Sequence, residues 1–280
     1  MSDTSRFGFE LPKDKASRDR LAELGQLAGG LVHEIKNPLG AIDLNVEMLL
    51  KQCRDGKFDA QRMITRLERI KASSRHLGDI AQAYLAFARP GDPDPDRVDV
   101  NALIRNLLDE QQAVFDEAHI TVSFRAEQHL AAVPADPTHL RSAFLNILLN
   151  ARDALLERDD NRILIVATRN RGDGIVVVFA NNGPPLSANA AAHLFDPFFS
   201  DKEGGTGLGL AIVSRLVELH RGRVAVHSTP QQVVFSVELP TDLGPAQPFT
   251  ELPIPAKEVA AIVRNDDFPG DPKVATDASN

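Results

Sequence analysis

The sequence of 280 residues holds one cysteine, Cys53, which excludes an internal disulfide framework and any cysteine-ligated metal cluster. No run of eighteen apolar residues occurs, and the opening MSDTSRFGFELPKDK lacks the basic-then-apolar build of a secretory signal. A soluble, cytoplasmic chain without direct membrane insertion is therefore expected. Basic residues are the minority among the charges: 31 Lys and Arg against 39 Asp and Glu give a net charge of −8. That field disfavours a nucleic-acid backbone or an anionic membrane as principal ligand, so no nucleic-acid partner is expected. Internal repeats with a period of about 20 to 50 residues are also missing. What the chain does have is 43% apolar residues, enough at this length for one or two cores buried in water.

The stretch LAGGLVHEIKNPLGAI, residues 27 to 42, lies within a long apolar periodicity. Leu21, Leu24, Ala28, Leu31, Ile35, Leu39, Ile42, Val46 and Leu49 recur in steps of three and four, which predicts a helix from about Asp19 to Gln52. At about 100° per residue His33 falls roughly 160 to 200° from Leu31 and Ile35, which places it off the apolar stripe beside Glu34. Asn37 and Pro38 follow four and five positions on. A proline inside a helix removes a backbone hydrogen bond and kinks the rod at a cost of ~3 kcal/mol, which packing alone does not explain. His33 is thereby a candidate functional residue, the alternative being a solvated bystander.

A loop at Asp55, Gly56 and Lys57 leads to a second helical pattern starting near Asp59. Its stripe is Met63, Leu67, Ile70, Ser74, Leu77, Ala81, Tyr84 and Ala88, widened by Ile64, Ile80, Leu85 and Phe87. Two long helices joined by a short loop lie antiparallel, and each carries more apolar surface than one partner covers. A symmetric dimer whose four helices share one core is expected; a monomeric hairpin packed on the rest of the chain is the alternative. The run ARPGDPDPDR, residues 88 to 97, is proline-rich and acidic and marks a domain boundary.

Beyond it the pattern alternates. Helices are predicted over 100–118, 136–158 and from Gly205 to about His220, and strands over 120–125, 130–134, 162–168, 175–180, 223–227 and 233–239. The β-branched runs Arg162 to Thr168 and Ile175 to Ala180 flank Asn170, Gly172, Asp173 and Gly174 and read as a hairpin. Helices grouped against a mostly antiparallel sheet make an α+β sandwich. After Pro240 the composition suggests a mobile tail in which only PAKEVAAIVRN, residues 255 to 265, has helical periodicity. That segment either docks, on a partner or on its own domain, or is a transient helix in solvent.

Three segments point to a phosphate-bearing ligand. Gly204, Gly205, Gly207 and Gly209 crowd EGGTGLGLAIV ahead of an apolar helix, where curled amides and a helix N-terminus favour an anion; a hinge with tight helix packing explains the glycines equally. In FLNILLNARDAL, residues 144 to 155, Asn146 and Asn150 share one helix face, and their oxygens suit Mg²⁺ held mainly by substrate phosphates; two surface amides are the alternative. In FANNGPPL, residues 179 to 186, an apolar strand runs out into a polar turn, which is either a place for a base-recognising group or an ordinary turn.

With these residues laid out, the chain resembles a sensor histidine kinase of the two-component type over about residues 20 to 240. HEIKNP resembles the family's phosphoacceptor box, NILLNA its asparagine box, LFDPFF (residues 194 to 199) its phenylalanine box and GGTGLGLAI its second glycine box. The resemblance implies an α-helical hairpin forming a dimeric four-helix bundle, followed by an α+β two-layer sandwich of the Bergerat/GHKL ATP-binding type. The expected domains are a flexible lead-in over 1–18, a dimerisation and phosphoacceptor domain over 19–90, a linker over 91–97, an ATP-binding domain over 98–240 and a tail over 241–280.

It further implies ATP and Mg²⁺ as cofactors and His33 as the phosphorylated residue, with Glu34 holding the proton on the other ring nitrogen. Asn150, assisted by Asn146, is implied at the metal and the triphosphate, with Asn181, Gly183, Lys202, Gly205, Thr206, Gly207, Leu208 and Gly209 completing the nucleotide site. Glu34 and Asn37 match an arrangement in which the amide positions a water to dephosphorylate a response regulator. The implied partners are a second copy of the chain, a response-regulator receiver domain and a separate sensory protein.

Two positions depart from the family pattern. The first glycine box normally reads Asp-x-Gly-x-Gly, and here Asn181, Asn182, Gly183, Pro184 and Pro185 stand in its place. The family aspartate accepts a hydrogen bond from the adenine amino group; Asn181 is expected to accept it with its amide oxygen, without the charge. Pro185 removes an amide donor. A glycine-threonine turn before the last strand is replaced by STPQQ. ATP binding is expected to survive in weakened form. The rivals are a non-catalytic dimeric scaffold or phosphatase, and a different ATPase of the same superfamily.

Overall fold

The computed structural model describes residues 15–56, 59–88, 93–159, 161–201, 205–242 and 262; the side chains of 15–30, 33, 34, 79, 82, 83 and 85–88 lie outside that description. The chain divides into two compact units, Met1–Ala88 and Arg89–Asn280. No helix among the described residues is long and apolar enough to cross a membrane.

The first unit is a helical hairpin of α1 (Lys15–Arg54) and α2 (Ala60–Ala88), so α1 begins inside the expected lead-in. Gly56, at φ 64°, takes the left-handed conformation that ends α1, and its N–H donates to Cys53 O at 3.4 Å. Cys53 itself is exposed. Asp59 starts α2: its Oδ1 accepts from Arg62 N at 3.1 Å, the bond of an N-cap. Pro38 is buried inside α1.

The inner seam is rotated from the one read in the sequence. Pro38 and Asn45 are buried on α1 and Ile80 on α2, while Leu39, Val46 and Leu67 of the expected stripes are exposed. Asn45 tolerates burial because its Nδ2 donates to Ala41 O at 2.7 Å. Exposed apolar residues remain on both helices, the most open being Val32 (54% exposed), Leu44 (54%) and Leu67 (54%).

The second unit is a two-layer sandwich. Its elements are β1 (Asp96–Val98), α3 (Val100–Glu117), β2 (Ile120–Arg125), β3 (Val133–Ala135), α4 (Pro137–Leu156), β4 (Arg162–Arg171), β5 (Gly174–Asn181), α5 (Ala188–His193), α6 (Gly209–Leu219), β6 (Arg223–Ser228) and β7 (Val233–Pro240). The main sheet runs β2-β4-β5-β7-β6, antiparallel except for the parallel pair β2 and β4. β1 and β3 form a separate antiparallel pair, so the strand expected over 130–134 is shorter and outside the main sheet. β1 itself starts within the stretch read as linker, and α5 lies in a region read as loop.

Caps fix the helices. Asp99 starts α3 by accepting from Ala102 N, and Asp136 starts α4 by accepting from Thr138 N and His139 N, with Pro137 in the first turn. The central strands are apolar on both faces. On one, Phe179 of β5 meets Phe144 of α4 with ring centroids 5.6 Å apart, over Val166 and Phe235 in the same register. On the other, Ile165, Ala167, Val176, Val178, Ala180 and Val234 form a cluster completed by Ile262, which is helical and only 8% exposed. Of the segment read as either docked or solvated, the one described residue is docked on its own domain. The remainder of the tail lies outside the described residues.

One buried polar network ties the layers together. Thr168 Oγ1 donates to Asn101 Oδ1 at 2.8 Å and accepts from Glu127 N at 3.0 Å, while Asn101 Nδ2 donates to Glu127 O at 2.9 Å. Each partner is satisfied by another, so the network anchors α3 to β4 without an orphaned polar group.

Candidate functional site

A cavity of about 410 Å³ lies between α4, the end of β5 and the start of α6. Asn146, Asn150 and Asp153 line it from one face of α4, being four and three residues apart. Asn146 Nδ2 donates to Ser142 O at 2.9 Å, which leaves its Oδ1 toward α6; a Cβ built on Gly209 would come within 3.1 Å of that oxygen. A side chain larger than hydrogen at position 209 would crowd the acceptor.

The start of α6 has no side-chain cap, so its first amides are left for a ligand. Gly205, Thr206 and Gly207 bring the chain to this point along the cavity wall. Gly207 sits at φ 61°, and a Cβ there would meet Phe198 C at 2.4 Å. Only glycine fits that contact, which is held by a hydrogen bond from Phe198 N to Gly207 O at 3.0 Å. Thr206 Oγ1 accepts from Leu208 N at 3.3 Å. Leu208 is fully buried and is not among the lining residues, and Lys202 lies outside the described residues.

At the far end, Asn181 and Asn182 take different roles because successive strand residues point to opposite sides. Asn182 pins the turn to β4: its Oδ1 accepts from Ile163 N at 2.8 Å and its Nδ2 donates to Asn161 O at 2.6 Å. Asn181 lines the cavity, and its Oδ1 accepts from Gly183 N at 2.9 Å. The amide oxygen expected to meet an adenine amino group thus already accepts one bond from the backbone and keeps a second lone pair. Gly183 is buried behind it, and a Cβ there would lie 2.8 Å from Asn181 Oδ1 and 3.1 Å from Ala154 Cβ. Pro184 and Pro185 are exposed at the rim.

Among the described lining residues there is no lysine or arginine, while Asp153, Glu157 and Asp201 are present. A polyanion here needs the α6 amides and a cation. No cluster of three His, Cys, Asp or Glu that could hold a metal occurs among the described residues. The oxygen donors of Asn146, Asn150 and Asp153 fit a hard cation that takes few protein ligands and depends on phosphate oxygens, as Mg²⁺ does.

The start of α4 is held by His220 at the end of α6. Its Nδ1 donates to Leu216 O at 2.7 Å and its Nε2 accepts from Asp136 N at 2.9 Å, which fixes the neutral tautomer. Burial lowers the pKa of His220, with the charge of His139 adding to it against the Leu216 bond and the Asp136 charge, which favour protonation. Burial alone would raise Asp136, but hydrogen bonds from the Asp94, His139 and Thr138 amides and the charge of His139 bring it below its usual value.

In the other unit, His33, Glu34 and Asn37 lie on α1, the first two with side chains outside the described residues and Asn37 exposed. The outward display of His33 inferred from periodicity therefore lies outside what is described. The structure brings Asn146, Asn150, Asn181, Gly205, Thr206, Gly207 and Gly209 onto one cavity. Sequence reasoning missed Asp153 and Ala154 on its wall, although their spacing from Asn150 on the same helix face marked them. It also missed Val233 and Phe235, which reach the cavity only through the pairing of β7 with β5.

Residues 23–93 match the model of the His Kinase A (phospho-acceptor) domain, and residues 135–243 match that of the histidine kinase-, DNA gyrase B- and HSP90-like ATPase. The chain is 31% identical over 236 residues to the sensor histidine kinase ZraS of Klebsiella oxytoca, covering 83% of this chain and 49% of that protein. It is 32% identical over 232 residues to the signal transduction histidine-protein kinase AtoS of Escherichia coli, covering 82% and 37% respectively. The chain thus spans half or less of the length of these relatives. Among solved structures, the histidine kinase ThkA in complex with the response regulator protein TrrA superposes with a TM-score of 0.66 at 22% identity, over 80% of this chain and 64% of that one. That likeness concerns the fold.

Proposed function

The chain belongs to the histidine kinases of two-component signalling, and on that footing we propose that it is an ATP-dependent autokinase acting on His33. The phosphoryl group then passes to an aspartate of a separate response-regulator receiver domain. The observation that carries this reading is the cavity of the second unit, where Asn146 Oδ1 faces the uncapped start of α6 and Asn150 lines the same wall. His33 lies in the first unit and the cavity in the second, so the units must meet for transfer.

When bound, Mg²⁺ would neutralise the triphosphate and would be held by Asn150 with Asn146. The α6 amides and Gly205, Thr206, Gly207 and Gly209 orient the phosphates by hydrogen bonding. A neutral imidazole nitrogen of His33 attacks the γ-phosphorus; the N–P bond forms as the bond to the bridging oxygen breaks and the nucleoside diphosphate leaves. Glu34 takes up the proton that the other ring nitrogen carries as charge develops on the ring. The hairpin would form a homodimer through the apolar surface that one copy leaves open. Asn37, one turn beyond His33 and exposed, would position water for dephosphorylation of the regulator.

A second reading, a dimeric scaffold or phosphatase with weakened nucleotide use, is favoured by one observation: the uncharged Oδ1 of Asn181 is already shared with the Gly183 amide. One assay separates the two. Incubated with Mg²⁺ and γ-labelled ATP, the full chain is expected to take up an acid-labile, alkali-stable label that His33→Gln abolishes. Nucleotide binding without label selects the scaffold. Asn37→Ala should keep the label and lose dephosphorylation of the regulator; equal loss of both contradicts its role.

A further inference from the structure

We propose that residues 255–265 form an amphipathic helix that docks on the outer face of the main sheet of the same chain, as a third layer over β4, β5 and β7. This docking does not depend on the nucleotide reading of the cavity.

Cross-strand partners point to the same side of a sheet, so the register assigns the outer face row by row. Ile165, Ala180 and Val234 make one row, Ala167, Val178 and Ser236 the next, and Arg169, Val176 and Glu238 the third. The helices lie on the other side: α4 meets Phe179 and α3 bonds Thr168, both in the alternating rows. An uncovered outer face would be open to water, yet Ile165, Ala167, Val176, Val178, Ala180 and Val234 are each at most 1% exposed. Glu238, paired with Arg171 at 3.1 Å, is 2% exposed and Ser236 5%. All three rows are therefore covered. Among the described residues, the one member of this cluster from outside the sheet is Ile262.

Dimensions fix how large the cover is. From Val176 to Ala180 the face runs about 13 to 14 Å along β5, and from β4 to β7 it is about 10 Å across. One isoleucine is far smaller than that. A helix of eleven residues is about 16 Å long and 10 to 12 Å wide, which matches both dimensions. Ile262 is itself helical, and the sequence around it has the required pattern. At about 100° per residue Pro255, Ala256, Val259, Ala260, Ile262 and Val263 share an arc of about 160°, while Lys257, Glu258, Arg264 and Asn265 fall on the remainder. Pro255 suits the first turn. The charges agree as well: Arg125, Arg169 and Arg223 stand on the outer face around the apolar rows, and Asp266 and Asp267 follow the segment directly.

The chain can reach this face without a second copy. β7 ends at Pro240, and Thr241 N donates to Asp173 O at 2.9 Å, beside the turn between β4 and β5. Residues 242–254 span up to about 43 Å when extended, against about 27 Å for the eight residues of β5.

The test is hydrogen exchange of the full chain read by mass spectrometry. The amides of residues 258–264 are expected to exchange at least about tenfold slower than in an unstructured peptide of the same sequence. Val259→Asp and Val263→Asp should each abolish that protection and add binding of a hydrophobic dye, because an unpaired charge is disfavoured among the apolar rows. Lys257→Ser and Arg264→Ser, on the other arc, should leave both readouts unchanged. Exchange of 258–264 at the peptide rate in the natural chain overturns the proposal, and that measurement stands whether or not the variants fold. Folded aspartate and serine variants that behave alike overturn the docking face. Protection that is lost on dilution gives the cover to a second copy and overturns docking on the same chain.

Discussion

His220 joins the end of α6 to the start of α4 through both ring nitrogens, and its burial makes that junction sensitive to acid. The groups facing it are Asp136 and, edge to face at 5.6 Å, His139. Its folded pKa lies below the ordinary 6.5, so the unfolded chain takes up a proton first as the pH falls. The stability it contributes is complete above about pH 6.5 and is lost as the pH falls from there through the lowered folded value. Asp136 has a separate window: its pKa is below 3.8, so its contribution is present above that value and lost only at lower pH. Denaturant midpoints measured from about pH 7.5 to 5 should fall for the natural chain, and His220→Gln should flatten that slope. An unchanged slope in the variant would assign the acid sensitivity elsewhere.

At the scale of elements, β5 and β7 are buried along nearly their whole length and β4 along its middle, and a two-layer sandwich covers only one of their faces. The other face needs a cover, and Ile262 supplies part of it. Ile262→Ala should destabilise the second unit by about 2 to 3 kcal/mol, near the lower end for a large-to-small change in a core. In a unit of this size that corresponds to a fall of roughly 5 to 10 °C in melting temperature. Ile262→Asp should add binding of a hydrophobic dye as Val176, Val178 and Val234 are uncovered. A variant that melts with the natural chain and binds no dye would mean that Ile262 contributes nothing to the cover.

The hairpin β4–β5 was legible because its runs are β-branched and its turn carries Gly172 at φ 53° and Gly174. Of β1 and β3 only the latter was read, as a strand over 130–134; β1 has three residues, too few to show a period, and the pairing of the two spans more than thirty residues of sequence. α5, six residues capped by Ser187, is too short for periodicity as well.

At the scale of the whole molecule, the hairpin leaves uncovered a row of apolar side chains that water disfavours. Val32, Leu39 and Val46 are seven residues apart on α1 and all exposed in one copy, as are Ile64 and Leu67 on α2. A second hairpin would bury them in a four-helix core. Sedimentation equilibrium should find a dimer at micromolar concentration, and the double substitution Leu39→Glu with Val46→Glu should leave a monomer with its helical content intact. A natural chain that remains monomeric at tens of micromolar would exclude the dimer.

The sequence by itself determined the two long helices, the β-branched hairpin, the shared face of Asn146 and Asn150, and the glycine-rich start of α6. These are local patterns, written in spacings of two, three and four residues. Only the tertiary structure decided which faces of α1 and α2 meet, that Ile262 lies on the outer sheet, and that His220 braces α4. It also decided that Asn181 turns its oxygen to the Gly183 amide. Each of these depends on what a side chain meets, and for most of them the partner is distant in the chain and brought near only when the elements pack; for Asn181 it is the direction of a turn, which spacing does not encode.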